Sequence, residues 1–188
     1  MEAHRRRLGI LAGSFNPVTR AHIALARAAL GVVDEVVFVL PRTFPHKGWE
    51  GAAFEDRLRI LEKAVEGEPR FSVAATDAGL FIDIARELRA KRPEVELYFL
   101  CGRDAAERIV NWDYGRTGAI AEQLREYQLL VAPRLGAYEP PAGLRDRIHP
   151  LEMVEGYDEC SATDVRQRIA AGLSWEQLVP EGTAGLVR

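Results

Sequence analysis

The chain has 188 residues, of which 47% are hydrophobic and 28% charged, with a formal net charge of −3. That length suits one sizeable core and is short for two, and the charge leaves no broad basic field for duplex nucleic acid. No apolar run reaches the roughly 18 residues that cross a bilayer, and the run after Arg7 is interrupted too soon by Ser14, Asn16 and Pro17 for a signal peptide.

Apolar runs alternate with helical periodicity along the whole chain. Strands are expected at 8–12, 35–40, 70–75, 96–100 and 128–132, with a weaker one at 149–154. Helices are expected at 19–30, 54–66, 82–92, 105–110, 119–127 and 163–171. Strands apolar on both faces and separated by helices predict an α/β fold, a Rossmann-like parallel sheet with helices on both faces and a small C-terminal helical part. The expected organisation is one domain over 1–188, its C-terminal part beginning near 160. Arg5, Arg6 and Arg7 read as a solvated tail, and the stretch 133–141 as a surface connection. Cys101 and Cys160 lack metal spacing and form no disulfide framework, which fits a reducing cytoplasm.

In a parallel sheet, ligands bind beyond the carboxyl ends of the strands, and each suspicious polar cluster follows a strand. After the first comes Gly13-Ser14-Phe15-Asn16-Pro17-Val18-Thr19-Arg20-Ala21-His22. Gly13 allows a tight turn, Pro17 stiffens the loop, Thr19 can cap the next helix, and His22 lies in its first turn. Helix-terminal N–H groups and the helix dipole would hold an anion there, although a capped helix that binds nothing has the same pattern. After the second strand, Pro41, Arg42, Pro45, His46 and Lys47 form either a cation-bearing loop over the site or an ordinary solvated loop. After the fourth, Gly102 permits close approach of backbone to a ligand. Asp104 is either a sugar ligand or a helix N-cap. Trp112 is either core or a stacking surface. Ser161, Thr163 and Asp164 read as a capped helix start, which leaves Arg166 unexplained.

The first cluster resembles the signature of the HIGH-superfamily nucleotidyltransferases, a Gly-x-Phe-x-Pro loop followed by His or Thr, two residues and His, with Ala21 where glycine is usual. Phe44-Pro45-His46-Lys47 is similar to the Pro-Pro-His-Lys segment of the bacterial nicotinate mononucleotide adenylyltransferases. The segment 54–59 also resembles their next helix, which makes Arg57 either a site arginine or a partner in a surface salt bridge. The eight-residue interval from Asp104 to Trp112 matches the spacing of their stacking tryptophan. Ser161, Thr163 and Arg166 match the superfamily's second signature, with Cys160 and Ala162 as departures, and 178–181 resembles the family's Leu-Val-Pro ending.

The resemblance implies transfer of an adenylyl group from ATP to the phosphate of nicotinate or nicotinamide mononucleotide, with release of pyrophosphate. It implies His22 on the transferring phosphoryl oxygens, Thr19 on an adjacent phosphate oxygen, and Lys47 and Arg166 on the triphosphate. Gly13, Ser14, Phe15, Gly102, Asp104, Ser161 and Thr163 would bind nucleotide, while Asp83 and Trp112 would bind the acceptor. Mg²⁺ would bridge the phosphates without a dedicated protein cage. No nucleic acid or membrane partner is expected, and a homo-oligomer is left open. One segment departs from the family: Leu80, Phe81 and Ile84 replace hydroxyl-bearing residues that hold the pyridine substituent, although Asp83 is in place. That leaves two alternatives, a transferase with another phosphorylated acceptor such as phosphopantetheine, and a nucleotide-binding protein without catalysis.

Overall fold

A computed structural model of the protein describes residues 5–44, 49–134, 136–153 and 160–187. Six parallel strands form one sheet in the order β3-β2-β1-β4-β5-β6. They are β1 (Arg7–Ala12), β2 (Glu35–Pro41), β3 (Phe71–Thr76), β4 (Glu96–Gly102), β5 (Gln128–Ala132) and β6 (Ile148–Pro150). The intervening helices are α1 (Arg20–Ala29), α2 (Phe54–Val65), α3 (Phe81–Lys91), α4 (Arg103–Asn111), α5 (Ala119–Gln123) and α6 (Ala162–Ala170). This is the doubly wound Rossmann-like arrangement expected from the alternation of strands and helices.

After their charged first residues, Arg7, Glu35 and Glu96, the central strands β1, β2 and β4 are apolar because both faces are covered. On one face, Leu11, Val36, Phe38, Leu40, Tyr98, Leu100 and Leu130 pack with α1 and α2. On the other, Ile10, Val37, Val39, Leu97, Phe99, Leu129 and Val131 pack with α3 and α4. Successive residues of each strand fall into opposite cores, as the pleat requires. Edge strand β3 is covered less completely, and its Ser72 is exposed.

Some boundaries differ from the periodicity for identifiable reasons. α5 stops at Gln123 because Arg147 donates to the carbonyls of Leu124, Arg125 and Tyr127, and Arg89 to that of Glu126. Those carbonyls are then satisfied without a further helical turn. The last strand ends at Pro150, while Val154 lies outside the described residues. The arginine run is not wholly a tail: Arg7 begins β1, its N–H donates to Asp34 and its guanidinium to the Val32 carbonyl. The C-terminal segment adds two 3₁₀ turns, Glu176–Leu178 and Ala184–Leu186, and is tied to α1 by Arg20, which donates to the Val179 carbonyl. No described helix is long and apolar enough to cross a membrane.

Candidate active site

The strand order reverses between β1 and β4, so the connections after these strands part and leave a cleft at their carboxyl ends. The loop after β1 occupies it. Its left-handed residue is Phe15, with φ 45°, and not Gly13. A non-glycine residue held there costs on the order of 1–3 kcal/mol, which burial of a phenyl ring, about 1.5–3 kcal/mol, can offset. The Phe15 ring is indeed buried, edge-on to His22 at 5.2 Å and packed on Phe38 at 5.8 Å. The left-handed turn thus sends the phenyl ring inward, beneath the histidine.

His22 is held by its own helix start. The N–H of Thr19 donates to Nδ1 at 2.9 Å, and the Thr19 hydroxyl lies 2.9 Å from the same nitrogen. An Nδ1 that accepts from a backbone N–H carries no proton, so the neutral ring has its hydrogen on Nε2. Burial lowers the His22 pKa to about 4. The folded protein therefore binds fewer protons at His22 than the unfolded chain does between about pH 4 and the reference value near 6.5. The stability from this group is present above that window and is lost as pH falls through it. Nitrogen NMR should find His22 neutral, with its proton on Nε2, from pH 8 down to pH 6; an imidazolium signal at pH 6 would contradict this arrangement.

The two signature segments line one polar cavity of about 370 Å³. Ser14, Thr19 and His22 come from the first; Cys160, Ser161, Thr163 and Arg166 from the second. α6 begins there, with the Ser161 hydroxyl accepting from the Asp164 N–H at 3.0 Å. Arg166 reaches across, donating to the Asn16 carbonyl at 2.6 Å and to the Thr163 hydroxyl at 3.2 Å. Among the described residues no carboxylate lines this cavity; donors and cations do, which is the lining an oligophosphate requires.

Arg134 joins them, a residue that sequence reasoning assigned to a surface connection. It follows β5 with only Pro133 between, and the carboxyl end of β5 lies on the same edge as those of β1 and β4. Parallel pairing was the signal that could have found it. Its guanidinium is 3.9 Å from the Asp104 carboxylate. Asp104 is not the N-cap of α4, a position held by Gly102; it sits in the first turn and lines a shallow cavity with Glu107, Arg108, Asn111 and Trp112. Trp112 is 67% exposed and so belongs to no core. Arg134 therefore bridges the polar cavity and the Asp104–Trp112 surface.

A second cavity of about 260 Å³ opens on the other side of Ser14, lined by Gly13, Ser14, Pro41, Thr43, Phe44, Thr76, Gly79, Phe81 and Ile84, among others. It is largely apolar. Phe81 stacks on Phe99 at 4.1 Å, and the Thr76 hydroxyl is already engaged, donating to Glu87 at 2.7 Å and accepting from the Ala78 N–H at 2.9 Å.

Three of the expected contacts are not displayed by these positions. Thr19, which lines the polar cavity, is fully buried with its hydroxyl 2.9 Å from His22 Nδ1, so in this structure it orients the imidazole; the contact expected of it was to a phosphate oxygen. Gly13 and Phe15 do not line the polar cavity: the Gly13 N–H donates to the Val39 carbonyl at 3.2 Å, and the Phe15 ring lies behind His22. Asp83 is exposed on α3, where its charge acts on Arg86, and does not line the apolar cavity. His46 and Lys47 lie outside the described residues. Among the described residues Arg57 forms no salt bridge; it is buried beneath the loop after β1, on the wall of a separate cavity that Asn16 and Arg166 also line.

Comparison with known proteins agrees with this geometry. The cytidylyltransferase-like family profile matches residues 10–168. A protein of Gloeobacter violaceus named "Probable nicotinate-nucleotide adenylyltransferase" is 33% identical, over 93% of this chain and 90% of its own length. One of Solibacter usitatus with the same name is 35% identical, over 93% of both chains. In structure, the Plasmodium falciparum nicotinic acid mononucleotide adenylyltransferase complexed with NaAD matches with a TM-score of 0.71. At 16% identity, over 97% of this chain and 94% of that one, this likeness concerns the fold. The chain belongs to the cytidylyltransferase-like family and, within it, to the nicotinate-nucleotide adenylyltransferases.

Proposed function

We propose that the protein joins the 5′-phosphate of nicotinate or nicotinamide mononucleotide to the α-phosphorus of ATP, releasing pyrophosphate and forming the dinucleotide of NAD biosynthesis. The observation that carries this reading is that a polar, donor-lined cavity and an apolar one meet at Ser14, which lines both. The polar cavity suits the triphosphate and the apolar one a flat heterocycle, so that the two phosphates converge on the loop after β1.

An oxygen of the acceptor phosphate attacks the α-phosphorus. One P–O bond forms, the bond to the β-phosphate bridging oxygen breaks, and pyrophosphate departs with that electron pair. The attacking oxygen is already ionised near neutral pH, so no general base is required. The chain's contribution is alignment and neutralisation of developing charge. His22 Nε2–H donates to an α-phosphoryl oxygen, and Arg166, Arg134 and the start of α6 with Ser161 and Thr163 hold the departing phosphates. Asp104, with Gly102 at the α4 start, is placed on a ribose hydroxyl, and Trp112 offers an exposed stacking face. Lys47 is assigned to the triphosphate on the resemblance alone. Mg²⁺ would be carried on the phosphate oxygens and would neutralise part of their charge. We place this activity in the cytoplasm, within one nucleotidyltransferase unit spanning residues 1–188.

The relatives' names favour nicotinate, whereas Leu80, Phe81 and Ile84 supply no hydroxyl for a pyridine carboxylate, which favours a different phosphorylated acceptor. An acceptor panel with ATP and Mg²⁺ separates these readings. Nicotinate mononucleotide is expected to give the highest pyrophosphate release per unit concentration. Turnover with phosphopantetheine and none with either pyridine mononucleotide would replace the proposal by the second reading. ATP binding without turnover on any acceptor would leave a nucleotide-binding protein.

A further inference from the structure

Arg57 is 1% exposed, and among the described residues it forms no ion pair. Its charge is met by three carbonyls and three aromatic faces. Nε donates to the Ala52 carbonyl at 3.2 Å and the terminal nitrogens to those of Ser14 at 2.9 Å and Pro41 at 3.4 Å. The guanidinium carbon lies 4.6 Å from the Trp49 ring, 5.3 Å from Phe44 and 5.9 Å from Phe54. Phe44 and Trp49 stack on each other at 4.2 Å. A buried cation is costly, and carbonyl dipoles with π faces offset that cost only while their geometry is kept. Loss of any one partner leaves the charge poorly compensated, so the arrangement resists deformation.

What the guanidinium holds is informative. Ser14, Pro41 and Phe44 all line the apolar cavity, and Ser14 also lines the polar one; Arg57 lines neither, but borders a separate cavity of about 300 Å³ with Asn16, Gly51, Ala52 and Arg166. The same junction is fastened a second time. The Ala52 N–H donates to the Asn16 side-chain oxygen at 3.3 Å, and the Asn16 carbonyl receives Arg166. Gly51 permits this approach: a Cβ there would stand 2.3 Å from the Trp49 ring and 2.4 Å from the Asn16 amide nitrogen.

We propose that Arg57 is a positioning residue for adenylyl transfer, fixing through Ser14, Pro41 and Phe44 the separation between the acceptor cavity and the phosphate cavity. The inference rests on the function proposed above. It predicts a selective defect, because Arg57 lines neither of the two cavities assigned to substrates and because two of the three residues it holds, Pro41 and Phe44, line the acceptor cavity alone.

Arg57→Lys keeps the charge but cannot span three carbonyls or stack as a plane. It should lower kcat by roughly 10- to 100-fold, the scale of a small misalignment, and raise KM for nicotinate mononucleotide several-fold while KM for ATP changes by less than about twofold. Gly51→Ala, which disturbs the same fastening without altering charge, should give the same split, and the exposed Arg59→Ala should leave all three constants unchanged. Hydrogen exchange in the protein without substrates supplies a readout independent of the reaction: the Ala52 amide should exchange faster in Arg57→Lys and in Gly51→Ala and not in Arg59→Ala. Wild-type kinetic constants in the two variants, or equal rises in both KM values, would overturn the proposal. Faster exchange with unchanged kinetics would overturn it equally. An inactive wild-type enzyme with unaltered exchange behaviour would count against the proposed function alone.

Discussion

His22→Ala is expected to lower kcat for adenylyl transfer on the order of 10²- to 10³-fold, while KM for ATP moves by less than about threefold. The expectation follows from how the ring is held. Its Nδ1 accepts from the Thr19 N–H, its edge is fixed by the Phe15 ring, and burial keeps it neutral. A neutral donor attracts the ground-state phosphates weakly. It gains strength as negative charge builds on the α-phosphoryl oxygens, so its contribution falls on the transition state. His22→Gln, which can return an amide N–H near the Nε2 position, should recover part of the loss. Equal loss in kcat and in ATP binding for His22→Ala would assign the residue to ground-state binding instead.

Arg166→Ala should behave differently. Its guanidinium is a permanent cation at the mouth of α6, positioned by the Asn16 carbonyl and the Thr163 hydroxyl. The β- and γ-phosphates carry their charge before reaction as well as after it, so removal should raise KM for ATP and also slow departure of pyrophosphate. A fall in kcat/KM for ATP on the order of 10²-fold or more is expected, with the larger share in KM at elevated salt, where the remaining cations are screened. Arg166→Lys should recover less than half of the lost transition-state free energy, because a single ammonium cannot bridge Asn16 and a phosphate in one plane. Steady-state kinetics at two ionic strengths measures both effects. An unchanged KM for ATP would remove Arg166 from the triphosphate.

The sheet was legible because apolar alternation, strand length and intervening amphipathic helices all point to one architecture, and residues such as Phe38 and Val39 fall into opposite cores as that alternation requires. The helix start was legible too, with Thr19 before the helix and His22 in its first turn, but not that the imidazole turns back to accept from the Thr19 N–H. Other features depend on tertiary context. A left-handed phenylalanine has no local signal, and glycine two residues earlier was the natural place to expect the turn. Arg57 lies on a helix otherwise rich in exposed charge, and periodicity alone cannot distinguish a buried guanidinium met by carbonyls from a solvated one. Asp83 occupies the family's position in sequence yet faces solvent. Arg134 was hidden in a segment rich in glycine and proline, where composition indicated a connection and only the parallel pairing of β5 carries it to the site.

The reaction itself is tested most directly by the fate of labelled ATP. Incubated with nicotinate mononucleotide and Mg²⁺, ATP labelled at the α-phosphate should pass its label into a dinucleotide, with one pyrophosphate released for each dinucleotide formed. Label recovered as AMP without dinucleotide, or as ADP after transfer of the γ-phosphate, would contradict attack at the α-phosphorus and with it the account of the site built around Ser14 and His22.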